Sequence, residues 1–149
     1  MARKSIKQAK QFKAAARRGL RGSQAIRLLG FSLDAIDVGR ATLRLEARPR
    51  HTQLNGVVHG GILAALADTA GAMAAHTVIP QRTALATIEL KINYLEPVPG
   101  GRVRAEARVL RAGRNFVVAE CEIFDARGKL AAKALLTFGA AGGYSFEEE

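Results

Sequence analysis

Apolar and polar positions divide the chain into one long helix and a set of strands. Residues 62 to about 78 are rich in Ala and Leu and apolar on nearly every face, which predicts a helix buried all round that ends before Pro80. The segment 31–47 alternates loosely around turn residues at 37–39 and predicts one or two strands. Between them, residues 49–58 have no sustained periodicity and predict a loop that leads into the helix.

Further strand candidates follow the helix at 84–95, 102–111, 115–124 and 130–138. From Arg102 to Val109, charged and apolar residues alternate, which is typical of a sheet with one buried and one exposed face. The breaks between the strands, including 97–101, are short and contain turn residues, so they predict antiparallel hairpins. A sheet wrapped around the helix buries the apolar faces of both, which predicts an α+β fold.

Composition favours a single domain. The chain has 149 residues and is 48% hydrophobic, which is enough for one core. No apolar run is long enough to span a bilayer, and the N-terminus lacks a secretory signal pattern, so we expect a soluble, cytoplasmic protein. The single cysteine, Cys121, lies in a strand candidate and supports neither an internal disulfide nor a metal site.

The net charge of +10 is concentrated at the N-terminus. Residues 1–27 hold nine Lys and Arg residues and no acid, so the rest carries about +1. We therefore divide the chain into a basic leader at 1–27, helical or disordered, and a globular domain at 28–149. Ile6, Phe12, Ala16 and Leu20 fit an amphipathic helix on a membrane surface, an acidic partner or RNA, whereas a solvated leader or a transit peptide fits the same composition. Nucleic-acid binding is not expected, and membrane contact stays open without being the expectation.

Asp68 is the only charged residue between His51 and Gln81, and it lies in the middle of the predicted helix. An ionised carboxylate in apolar surroundings is strongly disfavoured without partners, so its presence indicates a function. A structural hydrogen bond or a salt bridge from another strand is the alternative. A carboxylate in such surroundings suits a general base or a covalent nucleophile.

The tripeptide His59-Gly60-Gly61 stands where the predicted helix begins. The first N–H groups of a helix have no intrahelical partner, and together with the positive end of the dipole they attract negative charge. The Gly60 N–H is therefore a candidate donor to an oxyanion that develops on a substrate carbonyl. Tripeptides of this kind also occur in ordinary turns that have no catalytic role.

The run of His51, Gln53, Asn55-Gly56, His59-Gly60-Gly61 and Leu66-Ala67-Asp68-Thr69 closely resembles the hotdog-fold thioesterases, specifically the phenylacetate-pathway and 4-hydroxybenzoyl-CoA group. The resemblance continues through 92–97 and covers roughly residues 30–139. It implies a long central helix wrapped by a curved antiparallel sheet. It also implies hydrolysis of an acyl-CoA to a free acid and coenzyme A, without a metal or redox cofactor. The identity of the acyl group is left open.

The resemblance assigns roles at the helix and the loop before it. Asp68, nine residues after His59, is the nucleophile or the general base, and Gly60 supplies the oxyanion N–H. Gln53 places the carbonyl or the water. His59 orients the site or assists the leaving thiolate, although it could be only a capping group. Two residues are kept as substrate-binding candidates, namely Gly61 and Asn55, the second being the neighbouring amide with which Gln53 is most easily confused.

Three later residues are further candidates. Alignment on Asn93-Tyr94 places Thr87 where some relatives carry a hydroxyl that assists the acid. Thr87 shares strand parity with the polar face, so it points away from the helix unless a bulge reverses it. Arg111 and Arg114 are candidates for binding the phosphates of coenzyme A, but they are equally ordinary turn residues.

Helix geometry predicts an active site shared between two chains. Gly60 and Asp68 are about 12 Å apart along one helix, which a single thioester carbonyl cannot bridge. Two antiparallel helices across a two-fold axis bring Asp68 of one chain beside Gly60 of the other. The resemblance likewise implies a homo-oligomer, either a homodimer or a homotetramer built as a dimer of dimers.

Two other functions remain open. One is a non-catalytic acyl-CoA sensor that uses the basic leader to bind DNA. The other is a hotdog dehydratase of hydroxyacyl thioesters, although those relatives carry a different motif from His-Gly-Gly.

Overall fold

The computed structural model describes residues 14–80 and 83–141, with side chains up to residue 139. The helices are α1 at 14–22, α2 at Gln24–Leu29 and α3 at Gly60–His76, and a 3₁₀ turn covers Pro49–His51. The strands are β1 Phe31–Asp37, β2 Arg40–Ala47, β3 Ala84–Tyr94, β4 Gly101–Ala112, β5 Phe116–Phe124 and β6 Leu130–Ala141. The long helix and the strand candidates are therefore confirmed, with their ends shifted by a few residues.

All six strands form one antiparallel sheet in the order β1-β2-β4-β5-β6-β3. The prediction of a hairpin at 97–101 is wrong, because β2 and β5 occupy both edges of β4 and β3 pairs with β6 instead. The connection from β3 to β4 crosses the end of the sheet. It is anchored there by Val98, which is buried and accepts a hydrogen bond from the Val58 N–H at 2.8 Å.

Helix α3 lies against the concave face of the sheet through small residues. Its buried positions are Leu63, Leu66, Ala67, Ala70, Gly71, Ala74 and Ala75. Gly71 permits a close approach, since a Cβ there would lie 3.0 Å from Cζ of Phe138. The prediction that this helix is buried all round is wrong, because one sheet covers only one side of it. The opposite side, which includes Ile62, Ala65 and Met73, is half-buried.

The residues before β1 pack against the edge of the same core. Leu20 of α1 is only 5% exposed and belongs to the hydrophobic cluster that includes Phe31 and Leu33. Residues 14–22 are helical, and the predicted end of the leader at residue 27 falls inside α2, so the division into leader and domain stays a prediction. The predicted helix positions Ile6 and Phe12 lie outside the described residues. Within 14–80 and 83–141, no helix has both the length and the hydropathy needed to cross a membrane.

Candidate active site

Asp68 and Thr87 form the contact that joins α3 to β3 at the candidate site. The Thr87 hydroxyl donates a hydrogen bond to Oδ1 of Asp68 at 2.8 Å. Asp68 is half-buried, because it lies at the margin of the helix surface that the sheet covers. The expectation of an enclosed carboxylate is therefore wrong for the single chain. The hydroxyl engages one carboxylate oxygen, and Oδ2 has no hydrogen-bond partner within the described residues.

A β-bulge turns Thr87 toward the helix. The register of β3 against β6 shifts between Thr87 and Glu89, which leaves Ile88 as the extra residue. One extra residue reverses the alternation, so Thr87 faces α3 although Glu89 is exposed. The bulge that Thr87 needs in order to face the helix is thus present. Gly139 of β6 makes room for the bulge, since a Cβ there would lie 2.9 Å from Cδ1 of Ile88.

His59 caps the N-terminus of α3. Its Nδ1 accepts the Gly61 N–H at 2.9 Å, and its backbone is extended, as expected of an N-cap residue. Because Nδ1 acts as an acceptor, the proton of the neutral ring is assigned to Nε2. The capping role is confirmed, whereas an additional role in catalysis stays a prediction. The cap binds the Gly61 N–H and leaves the Gly60 N–H free: among the hydrogen bonds of residues 14–80 and 83–141, the Gly60 N–H has no partner.

Tyr94 reaches the same helix end from the last position of β3. Its hydroxyl donates to the carbonyl oxygen of Gly60 at 2.7 Å. Desolvation by partial burial raises the pKa of the Tyr94 phenol, which favours its protonated, donating form. Sequence reasoning gave Tyr94 no role, because nothing local connects it with a helix 34 positions earlier in the chain.

Gln53 lies in a tight turn before the helix. Its side-chain Oε1 accepts the Asn55 N–H at 2.7 Å, and its carbonyl oxygen accepts the Gly56 N–H at 2.9 Å. Gly56 has φ +77°, a left-handed conformation that favours glycine. Asn55 contributes its backbone to this turn, and its side chain is exposed. The structure therefore places Gln53 and Asn55 together, at the entrance to the helix.

His51 anchors this turn, although sequence reasoning assigned it no role. It is 3% exposed, and its Nδ1 accepts the Arg48 N–H at 2.9 Å. Burial, followed by the charge of Arg50, lowers the pKa of His51, so the ring is held neutral. The His51 carbonyl in turn accepts the His59 N–H at 2.8 Å, which fixes the approach of the chain to the N-cap.

Arg111 lies near the end of β4 and Arg114 lies in the connection to β5, on either side of Gly113, and both are exposed. Among the ion pairs of the described residues, none involves either guanidinium. No hydrogen bond within the same residues connects them with Asp68 or Gly60. Their proposed contact with phosphates therefore stays a prediction.

The site of a single chain thus consists of two halves on the open side of α3. One half contains Asp68 and Thr87, and the other contains Gly60, His59 and Tyr94. The halves are about 12 Å apart along the helix axis. Within the described residues, no group of His, Cys, Asp and Glu has the arrangement of a metal site.

Comparisons with known proteins identify relatives of this chain. A family model described as the thioesterase superfamily matches residues 55–132, which include both halves of the site. A candidate esterase of Saccharolobus solfataricus is 38% identical over 115 residues, covering 77% of this chain and 81% of the relative. The 1,4-dihydroxy-2-naphthoyl-CoA hydrolase of Escherichia coli is 30% identical over 101 residues, covering 68% and 73% of the two chains. The solved structure of the Escherichia coli PaaI protein, from the phenylacetic acid degradation operon, aligns with a TM-score of 0.83 at 25% identity, covering 91% and 96%.

Proposed function

Because the chain belongs to the thioesterase superfamily, has its hotdog fold and is a thioester hydrolase, we propose that its substrate is an acyl-CoA and its catalytic carboxylate is Asp68. The observation that carries the proposal is the hydrogen bond from Thr87 to Asp68, which depends on a bulge in β3. The related enzyme of Escherichia coli acts on a coenzyme A thioester, which supports coenzyme A as the thiol half of the substrate.

The start of α3 supports the role of Gly60 as oxyanion donor. A helix N-terminus concentrates positive potential, and the Gly60 N–H is the donor that the cap leaves without a partner in the described residues. Attack on the thioester carbonyl moves negative charge onto its oxygen. A fixed N–H aimed at that oxygen stabilises the charge without reorganising during the reaction.

Asp68 acts on the same carbonyl by one of two routes. As a general base it takes a proton from water, and the hydroxide adds to the thioester carbon. As a nucleophile it forms an acyl–aspartyl anhydride, which water then hydrolyses. In both routes the C–S bond breaks with its electron pair on sulfur, and the products are the acid and coenzyme A. Thr87 donates to Oδ1, which leaves Oδ2 available for water or for the carbonyl carbon.

We propose that two copies of the chain complete each site, in a homodimer or a dimer of such dimers. The half-buried side of α3, with Ile62 and Met73, offers an apolar surface to a second helix. Strand β3 ends the sheet. Its residue Ile88 is 57% exposed, and Leu95, directly after its last residue, is 53% exposed. A long edge strand with exposed apolar residues is a surface that proteins normally cover.

The test measures thiol release from a panel of acetyl-, hexanoyl-, benzoyl-, phenylacetyl- and 4-hydroxybenzoyl-CoA. We expect turnover of at least one, and a fall in kcat of about a thousandfold or more in Asp68→Asn, because the amide neither attacks nor accepts a proton. The melting temperature should change little, since an amide oxygen at position 68 still accepts the Thr87 hydroxyl.

Asp37→Asn is the matched control. Asp37 is an exposed carboxylate whose Oδ1 accepts the Val38 N–H at 2.7 Å, and asparagine preserves that acceptor. Its kcat should equal that of the wild type. A folded Asp68→Asn protein with wild-type rates would refute the assigned acid. Binding of acyl-CoA without turnover by the wild type would favour a sensor, and water elimination from 3-hydroxybutyryl-CoA would favour a dehydratase.

A further inference from the structure

The peptide group between Gly60 and Gly61 is held at both of its polar atoms. Its carbonyl oxygen accepts the Tyr94 hydroxyl at 2.7 Å, and its N–H donates to Nδ1 of His59 at 2.9 Å. A donor on the carbonyl polarises the peptide and strengthens the bond made by its N–H. Two side chains from different elements therefore fix the plane of the peptide next to the proposed oxyanion donor.

The ring of Tyr94 adds a steric restraint to the hydrogen bond. A Cβ built on Gly60 would lie 3.0 Å from Cζ and 3.2 Å from Oη of Tyr94. The ring thus covers the side of Gly60 from which a side chain would project. Glycine is suited to this position because of that contact, and Gly60 has no positive φ that would require it.

We propose that Tyr94 is a positioning residue for the oxyanion hole, where its hydroxyl and ring, together with the His59 cap, fix the direction of the Gly60 N–H. This inference rests on the proposed role of Gly60. Strand β3 then serves both halves of the chemistry, because Thr87 contacts the acid and Tyr94 contacts the peptide beside the oxyanion donor. In a shared-site dimer, these two residues of one strand act in different active sites.

The first test is Tyr94→Phe, which keeps the ring and removes the hydroxyl. Misdirecting a preorganised donor by a fraction of an ångström lowers kcat by about tenfold to a hundredfold, whereas KM should stay within about threefold. The matched control is Tyr144→Phe, the same change at the only other tyrosine of the chain. Wild-type kcat in Tyr94→Phe, or a loss confined to KM, would overturn the positioning role.

A second readout does not depend on turnover. In protein labelled with ¹⁵N-glycine, Tyr94→Phe should shift the amide resonances of Gly60 and Gly61 while that of Gly128, in the β5–β6 turn, stays in place. If the wild type hydrolyses no acyl-CoA, the proposed function fails, and this shift still decides whether Tyr94 orients the peptide. Unchanged Gly60 and Gly61 resonances would overturn the inference even in an active enzyme.

The contact between ring and glycine is tested by a double-mutant cycle. Gly60→Ala should destabilise the wild type, because its Cβ meets the Tyr94 ring. In a Tyr94→Leu background the same alanine should cost clearly less, as measured by urea unfolding. Equal costs in the two backgrounds would show that the ring does not restrain Gly60.

Discussion

Thr87 shows where reasoning from single residues reaches its limit. Resemblance placed it beside the acid, whereas strand alternation pointed it away, and a bulge at Ile88 resolves the disagreement. The sequence does not mark the bulge, because Ile88 is an ordinary strand residue and the space it uses is provided by Gly139 on another strand. A functional role for Asp68, in contrast, could be predicted, since a lone charge in an apolar segment is visible in the sequence itself.

Replacing Thr87 by valine tests the hydroxyl that contacts Asp68. Valine keeps the β-branched shape but donates no hydrogen bond, so the carboxylate loses its partner. We expect kcat to fall about tenfold and the free energy of unfolding to change by less than about 1 kcal/mol, because the site is open to water. Thr87→Ser should recover most of the activity in the same assay. Equal kcat values for valine, serine and threonine at position 87 would contradict a role for the hydroxyl.

At the scale of elements, periodicity predicted the type and extent of α3 and the strands, but not how they are arranged. Alternation reports which residues face inward, and it contains no information on which strand lies beside which. The hairpin expected between β3 and β4 failed for this reason. The prediction that α3 is buried all round was wrong for a single chain. The composition of an alanine-rich helix does not show whether its second side is covered by the same chain or by a second helix.

The close packing of α3 on the sheet is tested at Gly71. A Cβ there would lie 3.0 Å from Cζ of Phe138, a fully buried side chain. Gly71→Ala gains about 1 kcal/mol of helix propensity but overpacks the core at a cost of about 1–3 kcal/mol, so we expect a net loss of about 1 kcal/mol in urea unfolding. In a Phe138→Leu background, which removes the ring atoms but keeps the contact with Cδ2 of Leu136 at 3.2 Å, the alanine should cost clearly less.

Gly19→Ala is the control for that cycle. Gly19 lies in α1, and among the described residues no atom beyond its chain neighbours and its own helix backbone lies within 4 Å of its built Cβ, so alanine there should stabilise by up to about 1 kcal/mol. Additive effects of Gly71→Ala and Phe138→Leu would show that the two residues do not restrain each other.

The contribution of the N-terminal residues is tested by paired truncations. Removing residues 1–27 eliminates Leu20 and exposes Phe31 and Leu33, so we expect a loss of about 2–4 kcal/mol in the free energy of unfolding. The kcat measured well below the melting temperature should be nearly unchanged, because both halves of the site lie on α3 and β3. Removing residues 1–13 keeps Leu20 and should spare most of that stability. If removal of residues 1–27 lowers kcat at a temperature where the truncated protein is fully folded, the N-terminal segment takes part in the site.

At the scale of the whole molecule, the proposed catalytic acid and the proposed oxyanion donor of one chain lie too far apart to act on the same carbonyl. Asp68 and Gly60 are about 12 Å apart on one rigid helix, and no rotation of side chains closes that distance. Both halves open onto the same half-buried side of α3, next to the edge strand β3. In the proposed dimer, an antiparallel second copy would place each acid beside the partner's proposed oxyanion donor, so the two-fold axis would generate two equivalent sites.

Complementation between two inactive chains tests this shared site. Asp68→Ala removes the acid, and Gln53→Ala removes the amide of the turn before α3, which is the second residue proposed to act on the carbonyl or the water. The two variants are unfolded, mixed in equal amounts and refolded together. With random pairing, half of the dimers are mixed and each contains one site with both wild-type residues, so about a quarter of all sites should recover activity. If Gln53 and Asp68 acted within one chain, every site would keep one defect. Mixed dimers detected by native mass spectrometry without any recovered turnover would therefore contradict the shared site, whereas each variant refolded alone supplies the inactive baseline.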